Sequence, residues 1–491
     1  MTDYMKITDT SMTYKGTDRL LYGIILGVLA FWLFAQTTLN INVEMAADLG
    51  IQQSAMNIAV SITSLFSGIF IVVFGGLADR IGRVKMVLIG FVFSIVGALL
   101  VAITPAGSLA NPVLLTGRIF QGLSGACIMP ASLALVKAYW DGPARQRAIS
   151  LWSIGSWGGA GFCALFGGLV ASNLGWRYIF WATVVVSVIG FFMVKGTPES
   201  KGEVKTDYKF DLAGVFTFMI AIIAIQLLLL KGSDFGWTSL TSLGILAVFL
   251  IFGYIFYRIE NSNVNAFVDF KLFRNLTYTG ATISNFLLNA TSGILIVSLS
   301  LVQLGAGLTS QQAGLLTLGY ALTIVLFIRV GEKLLQRFGA RKPMVWGSAI
   351  VGLAILLLMA TNLDVGAYKI LAVAAFSLFG LGLAFYATPS TDAALSNLPD
   401  NQSGAGSGIY KMASSLGAAI GVAVSSGIFT AMSGDGDNAE WLNGLFTFTG
   451  RQDNLAVRQA AMVALALNLL MVIAAILSIV LTVPKQKTES K

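Results

Sequence analysis

The sequence predicts an all-α integral membrane protein of fourteen transmembrane helices, and three observations carry that prediction. Of 491 residues, 56% are hydrophobic and only 11% charged, against roughly a quarter charged in an ordinary soluble domain. Apolar runs of about 20 residues, the length a bilayer-spanning helix needs, recur from Leu20 to Val483 with short polar breaks. The runs are continuous and rich in Leu, Ile, Val and Gly, so they read as helices rather than as the alternating strands of about 10 residues that build a membrane barrel.

Taken in order, the first helix, 20–41, follows Lys15 and Arg19, and the second, 55–77, ends at the basic loop Arg80, Arg83 and Lys85. The third, 86–104, and fourth, 113–138, lead to Lys137, Arg145 and Arg147 around the start of the fifth, 148–171. The sixth, 178–195, opens into the charged segment Gly196 to Phe210, with Lys201, Lys205 and Lys209. Helices seven and eight span 211–230 and 239–258, and Lys271 and Arg274 precede the ninth, 279–303. The tenth, 313–331, runs into Lys333, Arg337, Arg341 and Lys342, followed by 343–361, 367–391, 407–432 and 458–483. With both termini assigned to the cytoplasm, 25 of the 31 basic residues fall on that side and five opposite, with Arg118 inside a helix. That asymmetry is the positive-inside pattern; it explains the net charge of +8 without nucleic acid. Leu20 onward reads as a retained first helix in a bacterial inner membrane.

Composition also excludes chemistry. Cys127 and Cys163 both lie in apolar helices, so no disulfide framework is expected, and with no histidine the commonest metal ligand and proton-relay residue is missing. Neither a nucleophile–histidine set nor a Gly-x-x-x-x-Gly-Lys-Ser/Thr loop occurs, so the chain reads as no enzyme and no nucleotide-driven pump, with no cofactor and no metal. Ser433 to Asn454 is a long acidic loop whose Trp441, Phe446 and Phe448 either cap a cavity mouth or rest at the interface.

After the second helix stands Gly75-Gly76-Leu77-Ala78-Asp79-Arg80-Ile81-Gly82-Arg83. Glycine permits the short turn, and Asp79 can pair with a cation or cap a helix N-terminus. The segment resembles the loop signature of the major facilitator superfamily, in which Gly75, Asp79, Arg80, Gly82 and Arg83 would latch a gate. A degenerate second copy, Gln336-Arg337-Phe338-Gly339-Ala340-Arg341-Lys342, follows the tenth helix with glutamine in the acid's place, as internal repeats of transporters lead one to expect. Arg118-Ile119-Phe120-Gln121-Gly122 resembles the superfamily's fourth-helix motif, whose arginine is associated with proton transfer. An unpaired charge there costs at least ~2.5 kcal/mol, so Arg118 must face protein or water. The glycine-dense fifth helix, Gly155 to Gly168, resembles the exporters' motif except that Cys163-Ala164 replaces its Gly-Pro pair.

With Gly175-Trp176-Arg177, these features resemble the fourteen-helix drug:proton antiporter family over nearly the whole chain. Phe31-Trp32-Leu33-Phe34-Ala35-Gln36, Trp152 to Gly159 and Tyr386-Ala387-Thr388-Pro389-Ser390-Thr391-Asp392 are closest to its quinolone-exporting Nor subgroup. The resemblance implies a cytoplasmic N-terminus (1–19), a six-helix bundle (20–195), a linker (196–210), an inserted helix pair (211–258), a second six-helix bundle (259–483) and a cytoplasmic tail (484–491). It also implies alternating access with export of fluoroquinolones, dyes and biocides.

One departure bears on mechanism. Many members of the family it resembles carry a first-helix aspartate, and aligning on Asn40 puts Ala35 there. The remaining acids near the membrane are Glu44, expected just outside the first helix, Asp211, Glu332 and Asp392. Asp392 with Lys411 is the first candidate for proton coupling, as a gate or as a structural ion bridge, with Arg118 and Glu44 behind it. Trp32, Gln36, Asn40, Gln121, Asn285 and Asn289 are candidates for the substrate cavity or, equally, for interhelical hydrogen bonds. Export of amphipathic drugs against protons is the leading reading; an endogenous metabolite, lipid or siderophore is the alternative cargo.

Overall fold

The computed structural model describes residues 14–140, 144, 148, 151–152, 154–201, 211–263, 266, 268, 270–395, 403–433, 440–450 and 454–485. Among them are fourteen helices long and apolar enough to cross a membrane, and no strand. They are α1 (Asp18–Leu49), α2 (Gln53–Ala78), α3 (Arg83–Ala102), α4 (Ala110–Val136), α5 (Ile154–Leu174), α6 (Arg177–Val194), α7 (Leu212–Gly232), α8 (Leu240–Ser262), α9 (Leu276–Gly305), α10 (Ser310–Phe338), α11 (Arg341–Leu358), α12 (Val365–Ala394), α13 (Gly408–Met432) and α14 (Leu455–Thr482). Fourteen crossings return the chain to the side it started from, here the termini face; the opposite side is the far face.

Without water to drive apolar surfaces together, membrane helices associate through close packing of small residues. Gly97 of α3 and Gly117 of α4 supply it in the first bundle: a β-carbon on either would lie under 3 Å from the other's carbonyl oxygen. Gly347 of α11 and Gly382 of α12 repeat the arrangement in the second bundle, again through each other's carbonyls. Helices α1–α6 and α9–α14 thus form two bundles with equivalent internal packing. They meet along two matching seams, α2 against α13 and α5 against α10, with α1 against α9 between them. The α5–α10 seam is glycine-lined, with Gly161 against Ala321 at 3.0 Å and Gly314 against the Ala164 carbonyl at 2.7 Å, both measured from a β-carbon position.

The inserted pair is asymmetric. α7 packs on both α2 and α13, while α8 packs chiefly on α7. A buried amide fixes α7 in place: Gln226 Nε2 donates to Ser61 Oγ of α2 at 2.7 Å.

Several helix ends differ from the expected spans. α1 runs eight residues past Ile41, to Leu49, where Gly50 in the left-handed region closes it. Its last turns carry Asn40, Asn42 and Glu44, whose polar groups face other helices instead of lipid, so low hydropathy there marks a contact and not an end. Glu44 is therefore a helix residue and not a loop carboxylate. Asp392, expected more than a turn inside its helix, stands three residues before the last described helical residue, Leu395. In the far-face loop Phe448 is buried beneath the Arg458 guanidinium at 5.3 Å, whereas Trp441 and Phe446 are exposed.

Candidate functional site

Arg118 is fully buried where α1, α2 and α4 converge. Its Nε donates to the Ala59 carbonyl (2.9 Å), one terminal nitrogen to the Ala35 carbonyl (2.7 Å) and Gln121 Oε1 (2.7 Å), and the other to Thr38 Oγ1 (2.9 Å) and the Val60 carbonyl (3.4 Å). Five acceptors match the five guanidinium donors, and all five are neutral. The Ala35 carbonyl is available because α1 loosens into a wide turn over Ala30–Phe34 and tightens over Ala35–Thr37. Such irregular backbone is tolerated at membrane depth only when buried in protein. Ala35, where the family resemblance leads one to expect an acid, thus still faces the arginine, through its main-chain oxygen.

A set of hydrogen bonds crosses between the bundles in the far-face half. Asn40 Nδ2 donates across to the Ser310 carbonyl (3.0 Å) and, within its own bundle, to the Ala164 carbonyl (2.7 Å). Gln303 Nε2 donates to the Asn40 carbonyl at 2.8 Å. Ser310 Oγ donates to Glu44 Oε2 at 2.9 Å. Asn57 Nδ2 reaches Thr430 Oγ1 at 3.0 Å, and the Gln311 amide reaches Ser172 Oγ at 3.1 Å. Together these bonds tie the two bundles to each other at the far face. Asn40 and Glu44 are contacts between the bundles here.

On the termini face, Gly75 lies against Pro130, and the helix that continues α2 ends at Ile81. The Asp79 side chain lies outside the described part; Arg80 is half-buried. Gly82 has φ +123° and ψ 136°, a conformation essentially reserved for glycine. A β-carbon there would also strike the Glu199 carboxylate. Glu199 caps the N-terminus of α3, accepting from the amides of Val84 (2.8 Å) and Lys85 (3.1 Å), where the helix dipole favours an anion. Beside it the Arg83 amide donates to the Ser200 carbonyl (2.9 Å), and Tyr139 Oη donates to the Pro198 carbonyl (2.6 Å). Burial, reinforced by Glu199, pushes the Tyr139 hydroxyl up to about 12, so it stays a donor. Glu199 escaped the sequence reading because it lies over a hundred residues from the loop it caps; the signal was an acid just after a helix.

Asp392 is exposed and lines a cavity of about 600 Å³ with Glu332 and Gln336 of α10 and Lys485 beyond α14. Among the described residues no ion pair joins it to Lys411. The reason is helical geometry. Ser390 and Thr391 face Tyr410 of α13, and at 100° per residue Asp392 is turned toward α10 instead. Of the second loop copy, Arg337 and Lys342 flank the Phe338 ring at 5.1 and 5.5 Å.

The cavity candidates separate. Gln36 bonds Ser64 at 3.3 Å, Gln121 holds Arg118, and Asn285 Nδ2 is taken by the Tyr410 carbonyl (3.0 Å) and Ser414 Oγ (2.6 Å). Half-buried Asn289 donates to Asn285. Trp32, packed edge-on to Phe31 at 5.2 Å, keeps an indole N–H with no hydrogen-bond partner in the protein. Gly175-Trp176-Arg177 proves to be an anchor: both Arg177 and Trp176 Nε1 (3.0 Å) hold Asp48 at the end of α1.

The sequence profile described as Major Facilitator Superfamily matches residues 24–268 and 281–491. The chain belongs to the major facilitator superfamily. Within it, the chain is 45% identical over 474 residues to a protein named quinolone resistance protein NorB from Staphylococcus aureus strain MRSA252, covering 96% of this chain and 97% of that one. It is 44% identical to the NorB of the bovine strain RF122 / ET3-1, with the same coverage. It is thus a multi-pass membrane transporter of the Nor subgroup, not an enzyme. Solved major facilitator folds agree. An auto-inhibited POT family peptide transporter superposes with a TM-score of 0.66 at 15% identity over 97% of this chain and 99% of the other. A bacterial homolog of the human lysosomal transporter Spinster, inward-facing and unoccupied, gives 0.63 at 15% identity over 96% and 99%.

Proposed function

We propose that this transporter exports planar amphipathic drugs, quinolones, dyes and biocides among them, in exchange for protons by alternating access. The observation that carries the reading is end-to-end similarity to the NorB proteins at 45% identity. The bundles at 20–195 and 259–483 rock about a midplane cavity and expose it to each face in turn. The termini face is cytoplasmic in a bacterial cell membrane, a reading supported by the distribution of lysine and arginine. The far-face bonds of Asn40, Gln303, Ser310 and Glu44 then close the outer gate, and the Gly82–Glu199 contact braces the inner loop.

Exchange requires carboxylates whose affinity for protons differs between the two states, because a ligand shifts an equilibrium only through differential affinity. In this reading Glu44 at the outer gate and Asp392 at the inner face meet protons from opposite sides. Arg118, saturated by neutral acceptors, acts as a brace in this state. Trp32, with its free indole donor, and Asn289 take substrate contacts.

The test is uptake of norfloxacin or a fluorescent dye into proteoliposomes with and without an imposed pH gradient. Accumulation that collapses on adding a protonophore supports proton-coupled drug export. No gradient-dependent movement of several unlike drugs refutes it in favour of a dedicated endogenous cargo.

A further inference from the structure

The segment Tyr386–Asp392, one of the stretches closest to the Nor subgroup, contains an unusual run of hydroxyls. Elsewhere in these helices a hydroxyl typically donates to a carbonyl three or four residues back, as Ser348 does to Met344 and Ser426 to Val422. Here Ser284 and Thr391 also donate to their own helices, to the Ala281 and Ala387 carbonyls at 3.0 Å, but hydroxyls of three helices meet one another as well. Ser284 Oγ of α9 lies 2.7 Å from Tyr386 Oη of α12; Ser390 Oγ donates to the same Tyr386 Oη at 2.9 Å and lies 2.8 Å from Tyr410 Oη of α13. Thr391 Oγ1 meets Tyr410 Oη at 3.5 Å, the longest link. Ser284, Tyr386, Ser390 and Tyr410 are buried; Thr391 is half-buried, and the next residue is Asp392.

We propose that Ser284, Tyr386, Ser390, Tyr410 and Thr391 form a proton relay joining the interior of the second bundle to the Asp392 cavity on the termini face. Each member of such a chain can donate one proton and accept another. Once Ser390 and Thr391, which here donate toward Tyr386 and Tyr410, have rotated to leave their oxygens as acceptors, a proton arriving on Ser284 Oγ releases that hydroxyl's own proton to Tyr386 Oη. The displacement repeats through Ser390 and Tyr410 to Thr391, from which one proton leaves by way of water for the Asp392 carboxylate at the cavity wall. One proton enters, one leaves, and rotation of each hydroxyl resets the chain. The conducting step is gated by the Thr391–Tyr410 link, which shortens when α12 and α13 approach. The charged and titratable groups around the exit are Glu332 of α10, Lys485 beyond α14 and, beside Tyr410, Lys411 of α13. Tyr278 of α9 faces the same helix junction, donating to the Gly406 carbonyl at 2.9 Å.

The relay rests on the proton-exchange reading above, so its test separates proton movement from drug movement. Tyr386→Phe, Tyr410→Phe and Ser390→Ala are reconstituted and assayed for pH-gradient-driven norfloxacin uptake and for norfloxacin counterflow at equal pH, which needs no net proton transfer. Gradient-driven uptake is expected to fall roughly tenfold with counterflow retained. A lost proton-transfer group usually costs more, but bundle rocking shares control of this rate. Ser390→Ala removes one oxygen and guards against misfolding of the tyrosine variants. Gradient-driven uptake at the wild-type rate in all three overturns the relay. Equal loss of both activities also overturns it, assigning the hydroxyls to structure alone. Wild type insensitive to the gradient would refute the exchange reading itself, and the relay with it.

Discussion

Gly168→Ala tests whether the far-face contacts hold the transporter shut. A β-carbon at residue 168 would strike the Ser310 carbonyl oxygen and stand 2.7 Å from its carbon and 2.9 Å from Asn40 Nδ2. These are backbone atoms and a fixed amide, so the clash can be relieved only by parting α5 from α10. Parting them breaks the bonds from Asn40 to Ser310 and from the Gln311 amide to Ser172 and loosens the Ser310–Glu44 bond. Three bonds at the roughly 0.6 kcal/mol typical within membranes amount to about 2 kcal/mol. That is roughly a 30-fold shift toward the far-open state, since every 1.4 kcal/mol is tenfold. The native cysteines are both buried, so spin labels at Leu109→Cys and Leu445→Cys, exposed far-face positions one on each bundle, report the opening without background. The label distance should move to a longer population in Gly168→Ala. An unchanged distribution in a folded variant would refute the claim that these bonds close the gate.

Three further outcomes are expected. Gly82→Ala forces a left-handed, extended conformation on alanine, costing about 1–3 kcal/mol, and lowers the melting temperature in detergent; adding Glu199→Ala to it should cost less than Glu199→Ala alone, because both act on one contact. Arg118→Met leaves Gln121, Thr38 and three carbonyls without their donor and should destabilise by more than about 3 kcal/mol, seen as aggregation on gel filtration, while Arg118→Lys, lacking the planar fork, falls between. Arg177→Ala removes an ion pair whose side chains are 37% and 47% exposed, so thermal unfolding should register less than about 1 kcal/mol; a larger loss would mean that the α1–α6 anchor carries more than its exposure suggests.

The helix count and bundle order were legible because hydrocarbon imposes its length on every crossing and the basic residues mark alternate loops. The end of α1 was not, since Asn40, Asn42 and Glu44 read as an exit from the membrane while they are contacts between bundles. Arg118 announced itself as a charge in an apolar run, but its partners are main-chain oxygens, which no side-chain pattern reveals. Asp392 and Lys411 looked like partners from their places near two helix ends; only the rotation set by Ser390 and Thr391 on Tyr410 shows that the carboxylate turns toward α10. Glu199 depends on a tertiary contact that bridges over a hundred residues, beyond the reach of any local signal.

The placement of α7 changes the molecule's dealings with the surrounding lipid. Two matching bundles would leave two equivalent side doors, one at α2–α13 and one at α5–α10. Gln226 on Ser61 and the close fit of Gly427 of α13 to Leu229 wedge α7 into the first of these, and α8 shields it further. A hydrophobic molecule dissolved in one leaflet therefore meets two unlike flanks, one covered by α7 and α8 and one where the α5–α10 seam itself faces the lipid, and the transporter presents the bilayer with a front and a back.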